Sequence, residues 1–248
     1  MDTDQVRWAH VVLDLPAGVA DEVDFWAAAL GYRLGEPWPG HPELRSLEPP
    51  DGDAYVHVQT VPGPPRVHLD LDVPHVPAAT RRLQDLGAAF VRETEDWITL
   101  RSPGGLPFCL VRARPRRRPP VRTWSSGPTS RLVQVCLDCP PDQAEAEARF
   151  WAAATGWAWQ ASDSPEFVCH LVPTTGSLQL LVQRRGPDEP ADAPVGAHLD
   201  LGADDREAEA SRLVALGATR QWTGGGWITL CDPAGLLFCA TGQPPQAP

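Results

Sequence analysis

The stretch from His68 to Leu110 is written twice. His68-Leu69-Asp70-Leu71, Leu86-Gly87-Ala88, Trp97-Ile98-Thr99-Leu100, Pro103, Gly105-Leu106 and Phe108-Cys109 return as His198-Leu199-Asp200-Leu201, Leu216-Gly217-Ala218, Trp227-Ile228-Thr229-Leu230, Pro233, Gly235-Leu236 and Phe238-Cys239, at a constant offset of 130 residues and without a gap. A chain of 248 residues suits one large domain or two of ordinary size. The duplication decides for two, and any account of function has to explain two copies of one unit.

Hydrophobic periodicity fills in each copy. Ala9 to Leu15 alternates as a strand. Asp21 then offers an N-cap for a helix whose Val23, Trp26, Ala27 and Leu30 follow helical spacing up to Gly31. Strands are expected near Leu44–Leu47, at Tyr55–Val61 and at Val67–Leu71, followed by a helix from about Pro77 to Leu86 and strands at Ala89–Arg92, Trp97–Leu100 and Phe108–Arg112. The second copy answers with a strand over Leu132–Cys139 and a helix around Phe150-Trp151 with Asp142 and Glu145 at capping-box spacing. Strands near Phe167–Val172, Leu178–Gln183 and His198–Leu201 come next, then a helix over Asp204–Leu216 and the closing Trp227 and Phe238 strands. Strand, helix and further strands thus occur twice within each copy, which makes four related modules. The expected boundaries are a first domain over 1–112, an Arg/Pro-rich linker over 113–130 that runs extended and solvated, and a second domain over 131–243.

Composition removes several functions. All 21 basic residues are arginine, so lysine Schiff-base chemistry, lysine general bases and a lysine-bearing phosphate loop are excluded. A net charge of −11 argues against general affinity for nucleic acid. No apolar run approaches the ~18 residues of a membrane span, and no signal peptide is evident at Met1-Asp2-Thr3-Asp4. The expectation is a cytoplasmic protein with reduced thiols and with neither nucleic acid nor membrane as partner. Cys136 and Cys139 have redox-motif spacing, but in a strand that spacing sends them to opposite faces.

These residues resemble a known family. The order of a strand, Phe25-Trp26-Ala27-Ala28-Ala29-Leu30-Gly31, His68-Leu69-Asp70-Leu71, Leu86-Gly87-Ala88, Trp97-Ile98-Thr99-Leu100 and the Asp232-Pro233-x-Gly235-x-x-Phe238-Cys239 run resembles the glyoxalase-like, bleomycin-resistance-like domains of the vicinal oxygen chelate superfamily, over nearly the whole chain. The resemblance implies an α+β fold of tandem glyoxalase-like domains, each built from paired βαβββ modules whose curved sheet forms a cup. It also implies that metal-dependent members place ligands on the first strand of each module and a carboxylate on the last. Carried over, those positions are His10, His68 and Cys109 in the first copy and Gln134, His198 and Cys239 in the second, so both carboxylates are missing. A divalent metal at His10, His68 and Cys109 stays open; the reading favoured is no cofactor, with Cys109 and Cys239 as small buried residues.

The remaining site candidates come from the strands themselves. His68 and Asp70, like His198 and Asp200, share a strand face, where a carboxylate can orient an imidazole as an acid or base. Together with His10, Gln134, Trp97, Trp227, Cys109 and Cys239 as ligand contacts, these four are the expected site. Trp26 and Trp151 are expected in the core, Trp38, Trp157, Trp159 and Trp222 as candidates to stack on a flat ligand, and Gly224-Gly225-Gly226 as a flexible turn. The function expected is binding of a small apolar or aromatic metabolite in a cup without a catalytic metal, for sequestration, transport or antibiotic resistance. The alternative is an enzyme of lyase, isomerase, cyclase or dioxygenase type, using histidine acid/base chemistry or a degenerate metal site. Self-association as a homodimer stays open.

Overall fold

A computed structural model describes residues 5–18, 20–125, 127–186, 190 and 193–247. The first half runs β1 (Trp8–Leu15), α1 (Ala20–Leu30), β2 (Arg33–Trp38), β3 (His41–Glu48), β4 (Val56–Thr60), then β5 (Arg66–Val73), α2 (Val76–Asp85), β6 (Ala89–Glu93), β7 (Trp97–Arg101) and β8 (Pro107–Arg112). A two-residue strand, β9 (Arg122–Thr123), precedes the second half. That half runs β10 (Thr129–Cys139), α3 (Ala144–Thr155), β11 (Ala158–Ala161), β12 (Phe167–Val172), β13 (Gln179–Arg184), β14 (Gly196–Ala203), α4 (Arg206–Ala215), β15 (Thr219–Thr223), β16 (Trp227–Cys231) and β17 (Leu237–Thr241). Each half is two βαβββ modules in one mixed sheet, ordered β2-β3-β4-β1-β5-β8-β7-β6 and β11-β12-β13-β10-β14-β17-β16-β15, with β9 beside β10. The tandem α+β architecture is as expected. Among the described residues no helix is long and apolar enough to cross a membrane.

The period-two pattern of the central strands separates site from core. On β1, Val11, Leu13 and Leu15 face the helices, while His10, Val12 and Asp14 face the cup; on β5, Val67, Leu69 and Leu71 alternate with His68, Asp70 and Asp72. The core joins the two halves. Trp26 of α1 packs on Phe238 of β17 with ring centroids 5.0 Å apart and donates to Asp232 at 2.8 Å. Reciprocally, Trp151 of α3 packs on Phe108 of β8 at 5.2 Å and donates to Glu147, whose other oxygen accepts from the backbone of Gly104. A side chain at Gly104 would meet Val195 of the second half at 2.4 Å, so the turn needs glycine for this approach. The free carbonyls at the end of α3 accept from Arg82 of α2 at 2.8 and 2.9 Å, and Ala29 at the end of α1 accepts from Arg212 of α4 at 2.8 Å.

Several local expectations change. α1 begins at Ala20, ahead of Asp21, and α3 is capped by the backbone of Gln143 with no side-chain cap bond, so neither Asp21 nor Asp142 takes the N-cap. The edge strands β11 and β15 have four and five exposed residues respectively, with no buried alternation to announce them. The linker keeps several exposed residues, among them Arg114, Pro115 and Arg117, but it is fastened to the first half. Arg117 pairs with Asp51 at 2.8 Å and its backbone exchanges bonds with Asp53, while Gly52 lies so close to Pro119 that a Cβ would sit 2.7 Å from its Cα. Arg116 donates to the buried Asp72 at 3.2 Å. Proline stiffness favours extension, but acidic partners on the first half hold the segment against it.

Candidate functional site

Each sheet curves around an open cavity of about 640 Å³. Matched clusters lie beneath them: His198, Asp200 and Cys239 all line the second cavity, while in the first Asp70 reaches the cavity and His68 and Cys109 pack behind it. In the first cup His68 Nδ1 faces Asp14 at 3.1 Å and His68 Nε2 faces Asp70 at 3.3 Å, with Cys109 beside them and Thr99 within 3.5 Å of its sulfur. In the second, His198 Nδ1 faces Asp138 at 2.7 Å, and His198 Nε2 faces Asp200 at 3.4 Å and the Cys239 sulfur at 3.7 Å, with Thr229 at 3.6 Å from that sulfur. Burial alone would strip the proton from either histidine. The flanking carboxylates outweigh it, Asp14 and Asp70 at His68 and chiefly Asp138 at His198, and hold both imidazoles well above their ordinary pKa. Burial pushes the thiols of Cys109 and Cys239 up, so both sulfurs are protonated at neutral pH.

Register explains the grouping. His10 pairs with Asp70 across β1 and β5, and Asp70 pairs with Cys109 across β5 and β8; Gln134, Asp200 and Cys239 form the same row. Asp70 therefore stands at the centre of the row, and the donor atoms lying within 4.8 Å of one another belong to His68, Asp70 and Cys109 in the first cup and, in the second, to His198, Asp200 and Cys239 and also to Cys136, Asp138 and His198. Of the expected set of His10, His68 and Cys109, the last two fall in this group, while His10 turns to Asp72 and His57 and Asp70 of β5 stands in its place. The same-face reading of His68 with Asp70, and of His198 with Asp200, agrees with the structure. What sequence reading missed was the second carboxylate, Asp14 or Asp138, because it arrives from the neighbouring strand.

A divalent cation fits this cluster. Asp70 Oδ1 and Asp200 Oδ1 are buried with no partner beyond the contacts of 3.3 and 3.4 Å to the histidine Nε2 atoms. The carboxylate on Nδ1 would fix the tautomer that leaves Nε2 free for a metal. Around a tetrahedral zinc, nitrogen and oxygen ligands at about 2.0–2.1 Å and sulfur at about 2.3 Å lie roughly 3.3–3.6 Å apart; in the second cup the nitrogen stands 3.4 Å from oxygen and 3.7 Å from sulfur.

Above the floor the cups part company. In the first, His10 Nε2 meets Asp72 at 3.2 Å, His10 Nδ1 meets His57 Nε2 at 3.0 Å, and His57 Nδ1 meets Ser46 at 3.0 Å; Ser46 also accepts from the Trp38 indole at 3.1 Å. With Asp72 the carboxylate that Arg116 contacts, one donor direction satisfies every atom: Trp38 to Ser46, Ser46 to His57, His57 to His10, His10 to Asp72. Burial, helped by His10, drops His57 to a pKa of about 3, so it is a neutral ring within the chain. Trp97 and His41 form the facing wall, rings 4.5 Å apart. In the second cup Gln134 replaces His10 and is held by Gln179 at 2.7 Å and His170 at 3.2 Å, while strand pairing puts His170 in the place of Ser46 and Leu181 in the place of His57. Cys136 faces this cup, 3.2 Å from Gln183, and Cys139 packs in the core, as the odd spacing requires.

Of the aromatic candidates, Trp38, Trp97 and Trp227 line the cups. Trp157 is core, and Trp159 and Trp222 are exposed on edge strands away from either cavity, which removes all three from the stacking set. Gly225 and Gly226 line the second cup, in a turn closed by the bond from Gly224 to the carbonyl of Trp227.

Comparison with known proteins accounts for both copies. A family model described as glyoxalase-like domain matches residues 10–111 and again 134–241. Comparison with curated proteins gives no match. Among solved structures, the chain resembles the Mn(II)-bound glyoxalase from Novosphingobium aromaticivorans at 15% identity and a TM-score of 0.67, covering 96% of this chain and 82% of that one. It also resembles a mutant 4-hydroxymandelate synthase from Streptomyces coelicolor, at 16% identity and 0.65, covering 98% and 94%. A halotolerant catechol dioxygenase follows at 16% and 0.59, covering 96% and 87%.

Proposed function

The chain belongs to the glyoxalase-like domain family in both of its halves, and on that premise we propose that it is a small-molecule protein holding one ligand in each cup. The observation that carries this is the pair of open cavities of about 640 Å³, each bordered by the carboxylate of a matched His-Asp-Cys cluster, Asp70 in the first and Asp200 in the second. Such a volume suits a drug-sized metabolite. The Trp38 and Trp97 walls favour a flat aromatic one in the first cup, whereas Phe167 and Trp227, rings 5.5 Å apart, offer one aromatic wall in the second. Sequestration of a metabolite needs no more than this. Tryptophan-fluorescence titration with a panel of aromatic metabolites tests it: the expected result is saturable quenching that Trp38→Phe weakens. A panel that neither quenches emission nor raises the melting temperature rejects it.

A second reading, supported by the donor spacing and by the hydrogen-bonded chain of the first cup, is an enzyme of this superfamily. His68, Asp70 and Cys109, and equally His198, Asp200 and Cys239, would hold a divalent cation, which would supply Lewis acidity toward a substrate oxygen. Asp14 and Asp138 would orient the histidines. Ser46 and His57 would accept a proton from a bound substrate and pass it inward toward Asp72. Metal content of the untagged protein separates the readings. Stoichiometric zinc, iron, manganese or nickel, lost in Asp70→Asn together with Asp200→Asn, supports the enzyme; metal-free protein that still binds ligands supports sequestration.

A further inference from the structure

The Arg/Pro-rich segment between the halves lines the first cup, and among the described residues nothing comparable lines the second. Beyond β8 the chain stays extended, and Arg112, Arg114 and Arg116, spaced by two residues, all border the cavity beside His10, Trp38 and Trp97. The segment is fastened: Arg116 to Asp72, Arg117 to Asp51 and Asp53, Gly52 tight against Pro119, and Arg118 to the carbonyl of Ala247. Among the described residues Arg112 and Arg114 make no hydrogen bond or ion pair. Across the mouth stand Glu95 and Asp96, and Asp96 is engaged by His41 at 2.9 Å. Beneath the cavity Asp70 faces His68 at 3.3 Å, and Asp14 lies between His68 at 3.1 Å and Arg66 at 2.9 Å. The second cup replaces this wall with Gly242 and Gln243, leaving Arg206 and Glu166 as the charged residues of its rim.

Resting on the reading that the first cup binds a small molecule, we propose that Arg112 and Arg114 form an anion subsite and that the preferred ligand is a flat aromatic carrying a carboxylate. Its ring lies against the Trp38 and Trp97 walls and its anion meets the two guanidinium groups. A guanidinium presents a planar fork of donors that matches a carboxylate, and charge-assisted bonds of this type are the strong ones. Fastening the segment in advance lowers the ordering cost of binding. The selectivity belongs to one cup only.

Calorimetric titration of the full chain with 2-naphthoate and with its neutral isostere 2-naphthamide tests this. The expected result is that the acid binds about tenfold or more tighter than the amide, that the preference shrinks as ionic strength rises, and that Arg112→Ala with Arg114→Ala removes it while leaving amide binding in place. Arg149→Ala, on the exposed face of α3 and bordering neither cavity, should leave the preference unchanged. Equal affinity for acid and amide, or acid binding untouched by the double substitution, overturns the anion subsite while the cup remains a binding site. Failure of both probes to bind overturns the subsite together with the binding reading. Circular dichroism of the double variant guards against misfolding; both residues are exposed and outside the core.

Discussion

The two cups share a floor and differ in everything above it. Identical volumes and an identical Asp-His-Asp-Cys cluster sit under two different linings: a directed chain of histidines, an aromatic wall and an arginine strap in one, a glutamine-centred amide network in the other. The row His10, Asp70, Cys109 against Gln134, Asp200, Cys239 shows where divergence is cheap. Asp70 and Asp200 each belong to a buried cluster in which losing one partner strands the rest, so they persist. At the third position of the row His10 turns to Asp72 and His57, whereas Gln134 accepts from Gln179 and donates to Asp200, so the two cups tie this position to the cluster differently.

The largest expected effects test what the halves have in common. Trp26→Ala and Trp151→Ala each remove a fully buried indole from the joint core, and each should cost about 3–5 kcal/mol in urea denaturation. A loss confined to one would show that the halves are not mechanically equivalent. Next come the helix-terminal arginines. Arg212→Ala strands the buried Glu209 as well as Ala29 and should cost about 3 kcal/mol, whereas Arg82→Ala, its counterpart, should cost about 1–2 kcal/mol.

Acid stability sharpens the difference between the linings. His57 is held at about pH 3 in the fold against its ordinary 6.5, so the unfolded chain takes up its proton first. Its contribution is intact above 6.5 and is lost as the pH falls toward 3, by up to about 1.4 kcal/mol per pH unit. His57→Leu, which installs the residue of the second cup, should flatten that part of the melting-temperature profile; an unchanged slope would remove His57 as its cause. The smallest effect is expected from Ser46→Ala, about 1 kcal/mol for two lost partners in a half-buried place, with His170→Ala at the matching position of the second cup costing less.

Much of the fold was legible because the core strands alternate and the copy repeats the pattern. His68 with Asp70, and His198 with Asp200, could be paired from one strand face. The rest of the site could not, since Asp14, Ser46 and His57 reach it from three different strands whose register no local pattern specifies. Edge strands β11 and β15 lack the apolar run that marks β6 at Ala89-Phe90-Val91; exposed along their length, they carry no periodicity to replace it. The arginine run read as a spacer because composition reports stiffness and charge, and the acidic partners that fasten it lie far away in sequence.

The reciprocal packing of Trp26 on Phe238 and Trp151 on Phe108 has the form of a two-fold dimer interface, in which patch one meets patch two and the reverse. Two separate copies of one gene product meeting in this way would be obliged to carry identical cups, since a substitution in one is a substitution in both. Joining them in a single chain keeps the partners at high effective concentration and lifts that obligation. A strap of arginines can then border one cavity while the other is lined by Gly242 and Gln243, so that two unlike cups sit in a single molecule.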